Sequence, residues 1–309
     1  MQTETQTQTW LITGANGNLG KRLVRELLAG SLDSVVAVVR SERARQALDD
    51  LGLDGSVRER LRIIVLDYTD VAALHAAASG CDRVVHLVGI LKQTKAASYV
   101  NAHEHSTAAL LSAVVDTPVK HLTYLSIVGS HRDADNICLA SKGRAEDLCR
   151  EDPLATCVLR VPMVLGEGDY ASYALRARGS KSTSFSFRAS SMEQPIYAGD
   201  VVQAILAAGR RGIDATLELG GPEVLSRHAL TARAAAVLGG GGGRVISLPL
   251  ALGLAMAGVM EMVSGNPPVT RAMLDVLDHD DNVDAGPACE VLGIAELTSL
   301  DDMLRAILS

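Results

Sequence analysis

The chain of 309 residues carries 29 Lys and Arg against 36 Asp and Glu, a formal charge of −7, and is 48% hydrophobic but only 3% aromatic. That length suits one large α/β domain or two smaller ones, and either buries about 75% of its unfolded surface without help from disulfides or metal. The acidic balance argues against a nucleic-acid binder, which needs a basic face. Five cysteines (Cys81, Cys138, Cys149, Cys157 and Cys289) form no C-x-x-C pair and read as small buried residues in a reducing compartment, so a cytoplasmic location is expected.

The opening MQTETQTQTW is polar, has no apolar core of a signal peptide, and reads as a frayed tail. From there, short β-branched runs alternate with helical patterns. TWLIT (9–13) predicts a strand and 21–28 a helix. SVVAVVR (34–40), RIIVLD (62–67), RVVHLV (83–88), HLTYLSIV (121–128) and TCVLRV (156–161) predict five more strands. Helices are expected between them, including a long one over 97–115 and another over 138–150. Strands without polar alternation, separated by helices, predict an α/β fold with a doubly wound parallel sheet covered on both faces. This dinucleotide-binding Rossmann core is placed at 9–162.

A smaller, irregular region at 163–309 is expected to face the substrate and to interleave with the sheet. Residues 166–199 read as loops over a site, and the glycines at 239–243 as a solvent-exposed joint. The apolar stretch 245–263, broken by Pro249 and Glu261, predicts a short strand and then a buried or lid helix, not a membrane span. It would line or cover a pocket. The region 266–309 reads as helical and acidic.

The first strand runs into Gly14-Ala15-Asn16-Gly17-Asn18-Leu19-Gly20, and a helix opens at Lys21. Three glycines at this junction have separate uses. Gly14 permits the turn, Gly17 admits a pyrophosphate to the backbone N–H groups, and Gly20 lets helix and strand pack closely. The end of the second strand then selects the dinucleotide. An acidic residue there would accept from a ribose 2′-OH, whereas this chain has Arg40, followed by Ser41 and Arg43. A guanidinium suits a 2′-phosphate, with Arg22 as a second candidate cation, so NADP is the expected cofactor.

With TGANGNLG, IIVLDYTD, VVHLVGI, NAHEHST, YLSIVGS, LRVPMVLGEGD and PIYAGDVVQAI in hand, the chain resembles the extended or atypical short-chain dehydrogenase/reductases. The likeness is closest to the NmrA-like group and to relatives of the Rossmann-type accessory subunit of respiratory complex I. The resemblance implies that Asp67 and Tyr68 lie at the adenine and Val88 along the cofactor. It also implies a catalytic frame of Asn101, Ser126 and Lys142, with Lys142 bonding the nicotinamide ribose. The family's catalytic tyrosine, four residues before the lysine, is here Cys138. A thiol is shorter by most of an aromatic ring, so Cys138 reads more readily as packing than as a proton donor.

Other candidate acids are His86, His131, Tyr124, Tyr170 and Tyr173. His103 and His105, two apart on a helix, face different ways and make a poor metal pair, so no metal is expected. Three functions stay open: an NADPH-dependent reductase of a small, mostly apolar carbonyl or conjugated substrate, a non-catalytic NADP(H)-binding sensor or assembly protein, and a redox-neutral epimerase or dehydratase. The partner is a small-molecule substrate, with no nucleic acid and no membrane span.

Overall fold

A computed structural model describes residues 7–94, 97–240, 244–264, 266–277 and 280–309. The expected tail at 1–6 and Gly241, Gly242 and Gly243 of the glycine run lie outside the described residues. In chain order the first half holds β1 (Thr9–Thr13), α1 (Asn18–Gly30), β2 (Ser34–Val39), α2 (Glu42–Asp49), α3 (Gly55–Glu59), β3 (Leu61–Val65), α4 (Val71–Ala78) and β4 (Arg83–His86). A π-helical turn (Val100–His105) leads into α5 (Ser106–Val114), followed by β5 (His121–Ile127), α6 (Ile137–Glu151) and β6 (Thr156–Val161).

These six strands and a seventh, Ala215–Glu218, form one sheet. From one edge the order is Ala215–Glu218, β6, β5, β4, β1, β2, β3, and every pairing is parallel. The winding reverses between β1 and β4, where the carboxyl ends of an open sheet leave a crevice for a ligand. Successive residues of β1 point to opposite faces. Trp10 and Ile12 join a core with Leu23, Leu27 and Ile205, while Leu11 joins one with Leu74, Leu110 and Leu122. Each fully buried side chain of this size contributes roughly 1.5–3 kcal/mol.

Three expectations change. The helix predicted over 97–115 is interrupted, because its first turn is π-helical and only Ser106–Val114 is α-helical. Residues 166–199 are not all loop: they hold the helix Tyr170–Gly179 and the strand Thr183–Phe187, whose periodicity is weak because Tyr170, Tyr173 and Phe185 are exposed. Among the described residues, the region 266–309 is helical only in three short pieces, Arg271–Leu277, Gly286–Leu292 and Leu300–Leu308.

The last of these packs Leu300, Met303 and Leu304 against Leu165, Leu175 and Leu230, a third apolar cluster. The strand Arg244–Leu248 and the helix Leu250–Val263 follow the expected pattern. Only Gly253 and Ala257 of that helix are buried, and Leu252, Met256, Val259, Met262 and Val263 are exposed. Among the described residues, no helix is long and apolar enough to cross a membrane.

Candidate active site

The site is built where β1, β4 and β5 end. Gly14 leaves β1 at φ +72°, in the left-handed region, and a Cβ there would stand 3.0 Å from the Leu87 carbonyl carbon and 3.2 Å from the Val88 nitrogen. Its N–H donates to the Tyr68 hydroxyl (3.0 Å), which donates in turn to the Val38 carbonyl (3.2 Å). Tyr68 and Val88 are both buried, so they brace the loop from behind. Gly20 lies against the carbonyl oxygens of Gly14 and Ala15, where a Cβ would approach to 2.7 Å. Leu19 packs on the adjoining core.

Gly17 precedes α1 in extended backbone and offers no side-chain cap. The opening N–H groups of α1 are therefore left for an anion at the positive end of the helix. Asn18 does not cap them either: its amide donates to the Gly168 carbonyl (2.7 Å) and to Asp169 Oδ1 (2.8 Å), clasping a loop 150 residues further along the chain. An uncapped helix start, with glycines wherever a Cβ would intrude, fits a dinucleotide's diphosphate.

Beside this loop, a cleft of about 450 Å³ is lined by Asn16, Arg40, Ser41, Ala44 and Asp67. Arg40 stands at its rim, its guanidinium 5.8 Å from the centre of the Tyr68 ring, and enters no ion pair among the described residues. Asp67 accepts from the Thr69 N–H (2.8 Å) and hydroxyl (2.7 Å), and these bonds, with the Arg40 charge, hold its carboxyl below the usual range. Arg22 is committed elsewhere: it pairs with Glu167 and lies over the Tyr197 ring.

At the ends of β4 and β5, Lys142 is buried on α6. Its Nζ donates to the Leu125 carbonyl (2.8 Å), sits 4.5 Å from the centre of the Tyr124 ring, and would be 3.3 Å from a Cβ on Gly89. Burial lowers its pKa to about 8. Cys138, one turn earlier on the same face, is buried with Sγ 3.6 Å from the Ile90 carbonyl oxygen, and burial pushes its thiol up to about 11. It is a neutral thiol at pH 7.

Tyr99 completes this group, with its hydroxyl on the Leu91 carbonyl (2.9 Å) and within hydrogen-bonding reach of Cys138. His103 accepts from the Ile90 N–H (3.2 Å), while His86 bonds Thr13 (2.6 Å) and Ser106 (3.3 Å). Burial, then the Lys142 charge, lowers both histidines to about 3.

The other expected residues lie apart. The buried Ser126 hydroxyl donates to Glu146 Oε1 (2.5 Å), whose carboxylate is also held by Arg160 (2.6 Å). Asn101 is exposed on the π turn, where its side chain bonds His105 (2.8 Å). His131 is exposed near Asp133, Tyr170 and Tyr173 are exposed, and Tyr124 lies beneath Lys142. Gly89 and Tyr99 were not singled out from the sequence, although one follows the fourth strand directly and the other stands two residues before Asn101.

The model of the NAD(P)H-binding family matches residues 14–196, more than half of the chain. The chain belongs to that family. The fold of this NAD(P)H-binding protein is shared with solved nucleotide-sugar epimerases. UDP-glucuronic acid 4-epimerase from Bacillus cereus, solved in complex with NAD, superposes with a TM-score of 0.70 at 17% identity, covering 97% of this chain and 95% of that one. The terminal R domain of the myxalamid PKS-NRPS biosynthetic pathway gives 0.70 at 19%, covering 99% and 90%. Among curated proteins, ceramide reductase of Caulobacter vibrioides is 24% identical over 171 residues, 55% of this chain and 51% of that protein. The chain spans about half the length of that curated relative.

Proposed function

We propose that this NAD(P)H-binding protein is an NADPH-dependent reductase of a carbonyl, or a conjugated carbonyl, on a mostly apolar substrate in the cytoplasm. The observation that carries this reading is the buried Lys142 ammonium, set beside Gly89 where β4 ends and one helical turn from Cys138. The loop 14–20 would hold the diphosphate at the α1 N-terminus, and Arg40 the 2′-phosphate by charge-assisted bonds. Asn16 and Asp67 share the cleft with Arg40 and would border the adenosine. When bound, the dinucleotide supplies a hydride.

Lys142 has three N–H donors, and Leu125 takes one. The others are free to hold a hydroxyl or a water at the reacting edge. A pKa near 8 lets this ammonium give up and regain a proton close to neutral pH. Ser126, tied through Glu146 to Arg160, braces β5 against α6 and so fixes where Lys142 stands. Asn101 supports the π turn from its outer side through His105. The name of the curated relative, a reductase acting on a lipid, agrees with an apolar carbonyl substrate.

One observation favours a second reading, an NADP(H)-binding protein without turnover: at the position of the family's catalytic tyrosine there is a thiol held neutral by burial. Following NADPH oxidation by the purified chain with a panel of medium- and long-chain aldehydes, ketones and enones separates the two. Turnover that Lys142→Met reduces at least a hundredfold supports the reductase. Tight NADPH binding with no turnover on any member supports the second reading.

A further inference from the structure

A cleft of about 1210 Å³ opens beside Tyr99 and the start of α6, between the helices Leu250–Val263 and Arg271–Leu277. One wall is apolar, made by Ile137, Leu254, Ala255, Met262 and Val263. From Leu254 to Met262 that wall runs about 12 Å at the α-helical rise, enough for most of an extended alkyl chain of ten carbons.

The charged lining has one dominant sign. Asp135, Glu261 and Asp275 supply three carboxylates against the single guanidinium of Arg271 among the described lining residues. Arg271 is already bonded to Glu261, through its backbone N–H (2.8 Å) and its Nε (2.9 Å). Asp275 accepts from the Asn136 amide (2.8 Å), which ties the helix Arg271–Leu277 to the cap of α6, and Asp135 is exposed at the rim. Tyr99 links this space to the catalytic edge, since it lines the cleft while its hydroxyl reaches Cys138, one turn from Lys142.

We propose that this cleft binds a single-chain amphiphile whose head is neutral or cationic and carries no phosphate. The apolar wall takes the chain, and the excess of carboxylate disfavours a phosphate or diphosphate head, for which the one cation among the described lining residues, Arg271, is already paired with Glu261. The substrate class thus differs from the nucleotide sugars named for structures of the same fold. The proposal rests on the reductase reading only in placing the reacting carbonyl near Tyr99, and binding is measured without turnover.

The test is isothermal titration of the full chain with decan-1-ol, decyltrimethylammonium and decyl phosphate, each below its solubility limit and critical micelle concentration. The first two are expected to bind one molecule per chain, and decyl phosphate at least tenfold more weakly. Ala255→Trp, at an exposed position of the apolar wall, should abolish binding of all three with the circular dichroism spectrum unchanged. Asp135→Lys should narrow the gap between decyl phosphate and decan-1-ol several-fold. Decyl phosphate binding as tightly as decyltrimethylammonium, or binding of all three unaffected by Ala255→Trp, would overturn the proposal. A chain that binds decan-1-ol as expected but never oxidises NADPH would uphold this site and reject the reductase reading.

Discussion

Gly17 and Gly20 stand three residues apart and answer to different constraints. The nearest atom to a Cβ on Gly17 would be the Gly14 oxygen at 3.4 Å, an ordinary contact, so Gly17→Val is expected to fold. Its branched side chain would occupy the approach to the α1 N-terminus, and dinucleotide binding by titration should vanish. Gly20→Ala meets two carbonyl oxygens at 2.7 Å and should instead lower the melting temperature, by about 1–3 kcal/mol of stability. Arg40→Ala leaves the glycine turn in place and removes an exposed guanidinium whose ring contact is with Tyr68. It should weaken NADPH binding by about 1.5–3 kcal/mol and leave NADH nearly unchanged; equal loss for both cofactors would show that Arg40 does not read the 2′-phosphate.

At the scale of elements, the helix Leu250–Val263 packs through small residues: a Cβ on Gly253 would lie 3.1 Å from the Phe187 ring. Gly253→Val should therefore cost about 1–3 kcal/mol in thermal unfolding, whereas Met262→Lys, at a side chain 87% exposed, should change stability by less than about 0.5 kcal/mol. The six strands that build the sheet around the site are legible in the sequence because β-branched runs buried on both faces admit few other readings. The edge strand Ala215–Glu218 is not, since only Leu217 among its four residues is buried. The π turn at Val100–His105 has no local signature in the sequence; it lies where the Tyr99 and His103 rings meet beside Cys138.

The same limit governs the site. Glycines 14, 17 and 20 could be read from chain-local spacing. Ser126 is bonded to a Glu146 that Arg160 of the neighbouring strand also holds, and Asn101 is exposed on a π turn, neither of which chain-local spacing encodes.

Over the whole molecule, buried titratable groups set opposing slopes of stability with pH. His86 and His103 have folded pKa values of about 3 against 6.5 unfolded, so the unfolded chain binds more protons in between. Stability should fall as pH drops below about 6.5, by up to about 1.4 kcal/mol per pH unit for each histidine. At the alkaline end, Cys81 and Cys138 are raised to about 11 and Cys149 and Cys157 to about 12, from 9. Those thiols favour the unfolded chain as pH rises above 9. Lys142 acts in the other direction, since its folded pKa of about 8 lies below 10.5 and its contribution grows between those values. Chemical denaturation across pH 5–10 should show a maximum near pH 7–9, and Lys142→Met should steepen the alkaline decline; an unaltered alkaline limb would mean that Lys142 is not held in a desolvated setting.

The clasp from Asn18 to Asp169 joins residues 151 positions apart. At ribosomal rates of 5–20 residues per second, roughly 8 to 30 s separate the synthesis of its two halves. The phosphate loop therefore emerges early but cannot take its final form until the loop at 166–169 has arrived. For the first part of that interval β1 also lacks its neighbour β4, an arrangement dominated by distant contacts and slow to assemble. A nucleotide bound across the finished groove selects the completed fold over all partly made ones. Adding NADPH during refolding is therefore expected to raise the yield of protease-resistant chain, by mass action on the completed fold.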